Sequence, residues 1–263
     1  MAKILKSILT LCFYIVSMCK TYSCPQGTTR LSQGSCVVIL RRTKEWCEAH
    51  DRCASYGTKT NSHFFLIGFN AQFLPFNKEL YNEKYIWTSV SKLLLSRGNL
   101  PYVWKDSNPL KPDFSSEVDD IKFDERQSNL SGQVTVLRVS SGKAELSALN
   151  GARGEVICEL AGNLPLPILL VQMRTNFPAG IPLEPNNNPE EDSCFLEVPE
   201  PAILRCLFLC GANKVCRAAY YNTRVKKCVQ MLHVDARIPS VFKEDSPTWI
   251  RYTKTHTSYI KVT

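Results

Sequence analysis

Past its first two dozen residues the sequence has no long hydrophobic run. The best later candidate, Leu164 to Met173 (LPLPILLVQM), is about half the length a membrane-spanning helix needs and holds two prolines. The segment Tyr252 to Thr263 is polar and carries no lipid-anchor signal. Histidine is scarce: His50, His63, His233 and His256 are the four present, and none lies in a nucleophile motif. No Gly-x-Ser-x-Gly occurs. Acid pairs at Asp119-Asp120 and Asp124-Glu125 fall in a polar, aperiodic stretch and read as solvated charge. The expectation is therefore a protein that is not an enzyme and needs no cofactor or metal. Strong charge of one sign is also missing. Against 24 acids stand 32 basic residues, and loss of Lys3, Lys6 and Lys20 with a leader would leave a net charge of +5. The stretch from Cys194 to Lys254 holds ten basic and five acidic residues, a bias that permits sulfated or sialylated glycans but does not predict nucleic acid.

What the chain has in quantity is cysteine. Of twelve, Cys12 and Cys19 lie in residues 1–23, which read as a signal peptide. Lys3 and Lys6 precede a short apolar run, Ile8 to Met18, and small residues at Ser17, Cys19 and Ser23 offer cleavage points. Secretion would deliver the rest to an oxidising compartment, where dense cysteine means disulfides. The remaining ten fall into two sets of five: Cys24, Cys36, Cys47, Cys53 and Cys158, then Cys194, Cys206, Cys210, Cys216 and Cys228. Five is odd, so two small domains with one leftover thiol each is the first arrangement the spacing implies. One glycosylation sequon, Asn129-Leu130-Ser131, argues for an exposed loop at Asn129.

In the first half, Thr43 to Tyr56 has helical spacing, with Trp46, Ala49, Cys53 and Tyr56 on one face and Thr43 as the expected cap. Cys47 is rotated off that face. It cannot bond Cys53 within one helix, because six residues rise roughly 9 Å against a disulfide reach of roughly 7 Å. Tyr85–Val90, Tyr102–Lys105, Val134–Val139 and Glu155–Leu160 are rich in β-branched and aromatic residues and read as strands. The residues between Trp104 and Val134 read as a long loop region.

These features resemble a long-form C-type lectin-like domain over 24–160. The resemblance rests on Cys24-Pro25 with Cys36, on Trp46-x-x-Ala49-x-x-x-Cys53, and on Trp87-Thr88-Ser89-Val90 where the family has Trp-Ile-Gly-Leu. Tyr102-Val103-Trp104-Lys105-Asp106 and Val156-Ile157-Cys158-Glu159 complete it. It implies two helices, antiparallel sheets, a long loop, and the disulfides Cys24–Cys36 and Cys53–Cys158. The departures bear on function. Sugar-binding members hold Ca²⁺ with Glu-Pro-Asn or Gln-Pro-Asp in the loop and Trp-Asn-Asp on a later strand, since a hard cation needs several converging oxygens. Here neither loop motif occurs, Lys111-Pro112-Asp113 offers a cation instead, and the strand position reads Ala144-Glu145-Leu146. The positions of the family's further disulfide fall near Val134 and Leu149, both apolar. Recognition without Ca²⁺ is the expectation.

Residues 161–193 are rich in proline and asparagine, and from Glu159 to Ser193 five acids face one base, Arg174. That composition reads as an extended connector, unless the apolar patch Leu164 to Met173 packs on a domain. Beyond it, Ala202 to Cys210 has helical spacing with Ile203, Cys206, Leu207 and Cys210 on one face, Pro199 and Pro201 before it and Gly211 as the expected stop. Cys216–Asn222 and Lys226–Met231 read as a hairpin, and Thr248–Tyr252 as a further strand. Four cysteines here allow three connectivities. Their spacing is not that of a zinc ribbon.

Residues 194–254 resemble a PAN/apple domain, one helix on an antiparallel sheet, through Cys206-x-x-x-Cys210, Cys216-Arg217-Ala218-Ala219-Tyr220-Tyr221-Asn222 and Lys227-Cys228. The resemblance implies Cys206–Cys228 and Cys210–Cys216, with 255–263 left as a tail. Cys47 and Cys194 remain. They stay unpaired, meet across the domains, or each bonds another chain, as in a disulfide-linked homo-oligomer. Arg224, Lys226 and Lys227 at the hairpin are candidates to grip an anionic glycan. The expected fold is α+β in two modules. The expected function is secreted recognition of a protein or glycan ligand, with a disulfide-linked structural or matrix component as the alternative.

Overall fold

A computed structural model describes residues 24–74, 81–91, 104–107, 134–147, 153–163, 169–177, 182–185, 187, 189, 192–199, 202–245 and 248–259. The signal-peptide reading (1–23), Asn129, Leu149 and most of the long-loop region lie outside these residues.

Among the described residues the first half is a mixed sheet with one α-helix against it, and a second helix of the kind the resemblance implies is not among them. Strands β1 (Thr29–Arg30), β2 (Cys36–Thr43), β3 (Ser62–Leu66), β4 (Tyr85–Ser91), β5 (Lys105–Asp106), β6 (Val134–Arg138), β7 (Ala144–Ser147) and β8 (Gly154–Asn163) form it. The main path runs β1-β2-β8-β4-β6-β7, with β3 on β8 and β5 on β4. All pairs are antiparallel except β4 with β8. Helix α1 (Trp46–Lys59) buries Trp46, Ala49, His50, Cys53 and Gly57, a stripe of three- and four-residue steps. Its stripe meets Phe64, Leu66, Trp87, Val134, Val136 and Val156 in the core. The two tryptophans satisfy their ring N–H groups within it: Trp46 Nε1 donates to the Thr88 carbonyl at 2.8 Å and Trp87 Nε1 to the Thr43 carbonyl at 3.1 Å. Asp106 is buried and accepts from Ser89 Oγ at 2.5 Å and from the Phe69 N–H at 3.1 Å, which ties β4 to a short 3-10 turn at Phe69–Phe73.

The second half is an antiparallel sheet, β10-β12-β11-β13-β9, with a helix on one face. Its strands are β9 (Leu169–Thr175), β10 (Phe195–Val198), β11 (Cys216–Asn222), β12 (Lys227–Leu232) and β13 (Trp249–Tyr259), and its helix is α2 (Ile203–Ala212). Because strand side chains alternate, Ala219, Tyr221 and Cys228 face Cys206 and Cys210 of α2. Ala218, Tyr220, Val229 and Met231 join the cluster that holds Trp46 and Ala49. The two halves thus share one continuous apolar core.

Several local readings differ from the structure. Thr43 does not cap α1: it ends β2, and Glu45 holds the cap position. The Thr43 hydroxyl instead bonds the Glu48 carboxylate and accepts from the Glu45 N–H at 3.2 Å. Gly211 does not stop α2, which runs one residue further to Ala212. Residues 161–193 are not a plain spacer. Leu169–Thr175 is strand β9, paired with β13, because the apolar run has an open sheet edge to join. The same pairing carries β13 through Tyr259, into residues read as a tail.

Candidate functional site

Five disulfides form among the described residues: Cys24–Cys36, Cys53–Cys158, Cys206–Cys228, Cys210–Cys216 and Cys47–Cys194. The last joins α1 of the first half to the residue before β10 of the second. Around this staple the halves meet through ionisable side chains. His50, on the buried face of α1, stacks on His233 with ring centroids 4.6 Å apart. His233 follows β12 at φ 64°, a left-handed conformation rare outside glycine, and its Nε2 bonds Asp51 Oδ1 at 2.8 Å. Arg217, from β11, donates through Nη2 to the Ser107 carbonyl at 2.8 Å and through Nε to the His233 carbonyl at 3.1 Å.

A small, partly open cleft lies at this junction, lined by His50, His63, Lys214, Arg217 and His233 with backbone and apolar neighbours. Burial pushes the His50 imidazole well below its ordinary range, and His233 and Arg217 add to that. Burial, Arg217 and Lys214 take His63 down to about 4. His233 is lowered by burial, against the pull of Asp51. Lys254 on β13 falls to about 8 through burial and Arg217, while its Nζ donates to the Asn213 carbonyl at 3.0 Å. These groups come from α1, β3, the turn after α2, β11, β13 and the segment after β12, so only the tertiary fold unites them. In the sequence His50 falls on the first helix, and no motif or period marks His63, His233 or Arg217 for a common site.

The residues singled out from sequence lie elsewhere. At the β11–β12 turn, Lys227 Nζ pairs with Asp245 at 3.0 Å, and that hydrogen bond raises its pKa. Arg224 and Lys226 stand exposed, Lys226 at φ 53°. At the strand position where the family has Trp-Asn-Asp, Glu145 is buried and ion-paired with Arg138. Among the described residues no group of three or more His, Cys, Asp or Glu is placed to hold a metal ion. None of the described helices is long and apolar enough to cross a membrane.

No protein-family model matches the sequence, and no curated protein matches it. Among solved structures, the chain is similar to the C-type lectin CEL-I from Cucumaria echinata, with a TM-score of 0.37 and 17% identity over 53% of this chain and 98% of that one. It is similar also to an EPNH mutant of CEL-I, with a TM-score of 0.38 and 17% identity over 53% of this chain and 97% of that one.

Proposed function

We propose that the chain is an extracellular, non-catalytic recognition protein that joins a C-type lectin-like domain to a PAN/apple domain and binds a protein or glycan ligand without Ca²⁺. The observation that carries this reading is the set of five disulfides with one, Cys47–Cys194, bridging the halves. Such crosslinking favours an oxidising compartment and a rigid platform. Rigidity raises affinity by removing ordering costs at binding. Arg251 pairs with Asp235 and Arg138 with Glu145, which assigns those charges to holding the fold. Glu145 also bears on the metal. A carboxylate neutralised by a guanidinium is a poor ligand for a hard cation.

The matrix-component alternative needs cysteines available to other chains. The bond between Cys47 and Cys194 favours a self-contained unit instead. Screening the secreted protein on glycan and extracellular-protein arrays, with Ca²⁺ and with chelator, tests the reading. Specific binding that survives chelator is expected. Loss of all binding with chelator sinks the Ca²⁺-independent claim, and turnover of a bound ligand sinks the non-catalytic one.

A further inference from the structure

We infer that the cleft between the two halves is a binding site for a tetrahedral oxyanion, either a free sulfate or phosphate ion or the single sulfate or phosphate group of a larger ligand. This goes beyond the recognition reading and does not depend on it, because it rests on the cleft's own chemistry.

Three observations carry it. First, five nitrogen-bearing side chains, His50, His63, Lys214, Arg217 and His233, line one cleft, and among the described residues no Asp or Glu lines it. Oxyanions are held by such converging donors, with a guanidinium the best of them. Second, His50 is only 3% exposed, yet its Nε2 is buried without a hydrogen-bond partner. A buried polar atom left unpaired is costly and calls for an explanation. Third, Arg217 is held in place by bonds to the Ser107 and His233 carbonyls, so its guanidinium is oriented before any ligand arrives.

The charges around the cleft are unbalanced in the same sense. From α1 come His50 and Asp51, from β3 His63, from the turn after α2 Lys214, from β11 Arg217, from β13 Lys254 and from the segment after β12 His233. Asp51 is the one carboxylate in this group, and it bonds His233. Burial is the main cause that lowers His63 and Lys254, and the positive charge of Arg217 adds to it in both. An anion reverses that balance. It favours protonated imidazole, so each binding event draws a proton from solvent onto a ring nitrogen, and affinity rises as pH falls.

The test uses the mature chain with its disulfides intact. Calorimetry and thermal melts compare sodium sulfate and sodium phosphate with sodium chloride at matched ionic strength, at pH 5.5 and 7.5, in buffers of differing ionisation heat. Saturable sulfate binding with proton uptake, about tenfold tighter at the lower pH, is expected. Lys214→Gln, at an exposed position, and His63→Gln should each weaken it about tenfold, while Arg224→Gln on the hairpin leaves it unchanged. Arg217→Gln is informative only if it folds, which the other two variants make unnecessary. A sulfated disaccharide that binds tighter than free sulfate assigns the site to a group on a larger ligand, and the reverse assigns it to the ion. Sulfate without saturable effect beyond chloride, or binding that Lys214→Gln and His63→Gln leave intact, overturns the inference. Glycan-array results do not enter, so failure here is separable from failure of the recognition reading.

Discussion

Cys47 and Cys194 are bonded to each other across the two halves of the chain, with Cα atoms 5.5 Å apart and a sequence separation of 147. The bond constrains less chain than that separation implies. Cys53–Cys158 already provides a shortcut, so the newly closed loop is roughly 40 residues, worth about 4 kcal/mol at most in the chain-entropy model. The staple also does not act alone. Trp46 and Ala49 on α1 lie in the same apolar cluster as Tyr220, Val229 and Met231 of the second sheet.

Removing both partners, Cys47→Ser with Cys194→Ser, should therefore leave a folded monomer that is less stable by about 2–4 kcal/mol in urea titration. In the unmodified protein, peptide mapping without reduction should recover a Cys47–Cys194 peptide from a monomeric band. A disulfide-linked dimer through either residue contradicts the assignment.

Acid should destabilise the protein ahead of ordinary carboxylate titration. The folded values of His50, His63 and His233 all lie below the ordinary 6.5, with His63 at about 4. As pH falls below about 6.5 the unfolded chain takes up protons that the folded chain refuses, so stability present above 6.5 is lost downward through the folded values. Each such group contributes a slope of up to about 1.4 kcal/mol per pH unit. Glu48, held low by bonds from Thr43 and Arg52, adds loss in the same direction, but only once pH approaches its unfolded value of 4.5. Urea midpoints in chloride buffer between pH 7.5 and 4.5 check this. Stability that is flat or rising from 6.5 to 5 disproves it.

How far the chain could be read in advance depended on whether a signal was local. The face of α1 and the strand Cys216–Asn222 are visible because periodicity and β-branched runs are written in consecutive residues. Strand β9 is hard to read in advance although Leu169-Leu170-Val171 is an apolar run, since a short run does not by itself say strand or linker. The fate of Cys47 was open for a related reason: its rotation off the α1 face was legible, but its partner was not. The cleft was the least legible feature. Asp51 and His233 bond across 182 residues of sequence, and no period or motif connects them.

Gly57 should tolerate no side chain. It lies within the last turns of α1, where Gly costs helix stability relative to Ala, so its presence needs a compensating reason. A Cβ there would stand 2.7 Å from the Ser62 carbonyl oxygen and 2.9 Å from the Phe64 nitrogen, both backbone atoms of β3. Neither can swing aside as a side chain would. Gly57→Ala is expected to cost about 1–3 kcal/mol through displacement of β3 from α1, despite the gain in helix propensity. Chemical denaturation measures it, and a neutral or stabilising outcome means that β3 can move.

Arg251 and Asp235 should show an asymmetric double-mutant cycle. Arg251 on β13 has a fully buried side chain and is ion-paired with Asp235, whose side chain keeps 18% exposure. Its guanidinium also lies 6.0 Å from the centre of the Tyr220 ring, whose hydroxyl donates to the Ala236 carbonyl at 3.2 Å. Burial works against the charge of Arg251, and the carboxylate of Asp235 opposes that penalty. Removing Asp235 strands a cation with no path to water, whereas removing Arg251 leaves a carboxylate that still reaches solvent. Asp235→Asn should thus be the worse single change, at about 4 kcal/mol, and Arg251→Met the milder, at about 3. The double variant should cost less than the sum of the two by about 1–3 kcal/mol, since no charge is then buried alone. Urea titration of the four proteins at pH 7.5 decides the matter. Additive losses would mean that the two charges are held independently, and a milder Asp235→Asn would mean that the Arg251 guanidinium has another anion or water to turn to.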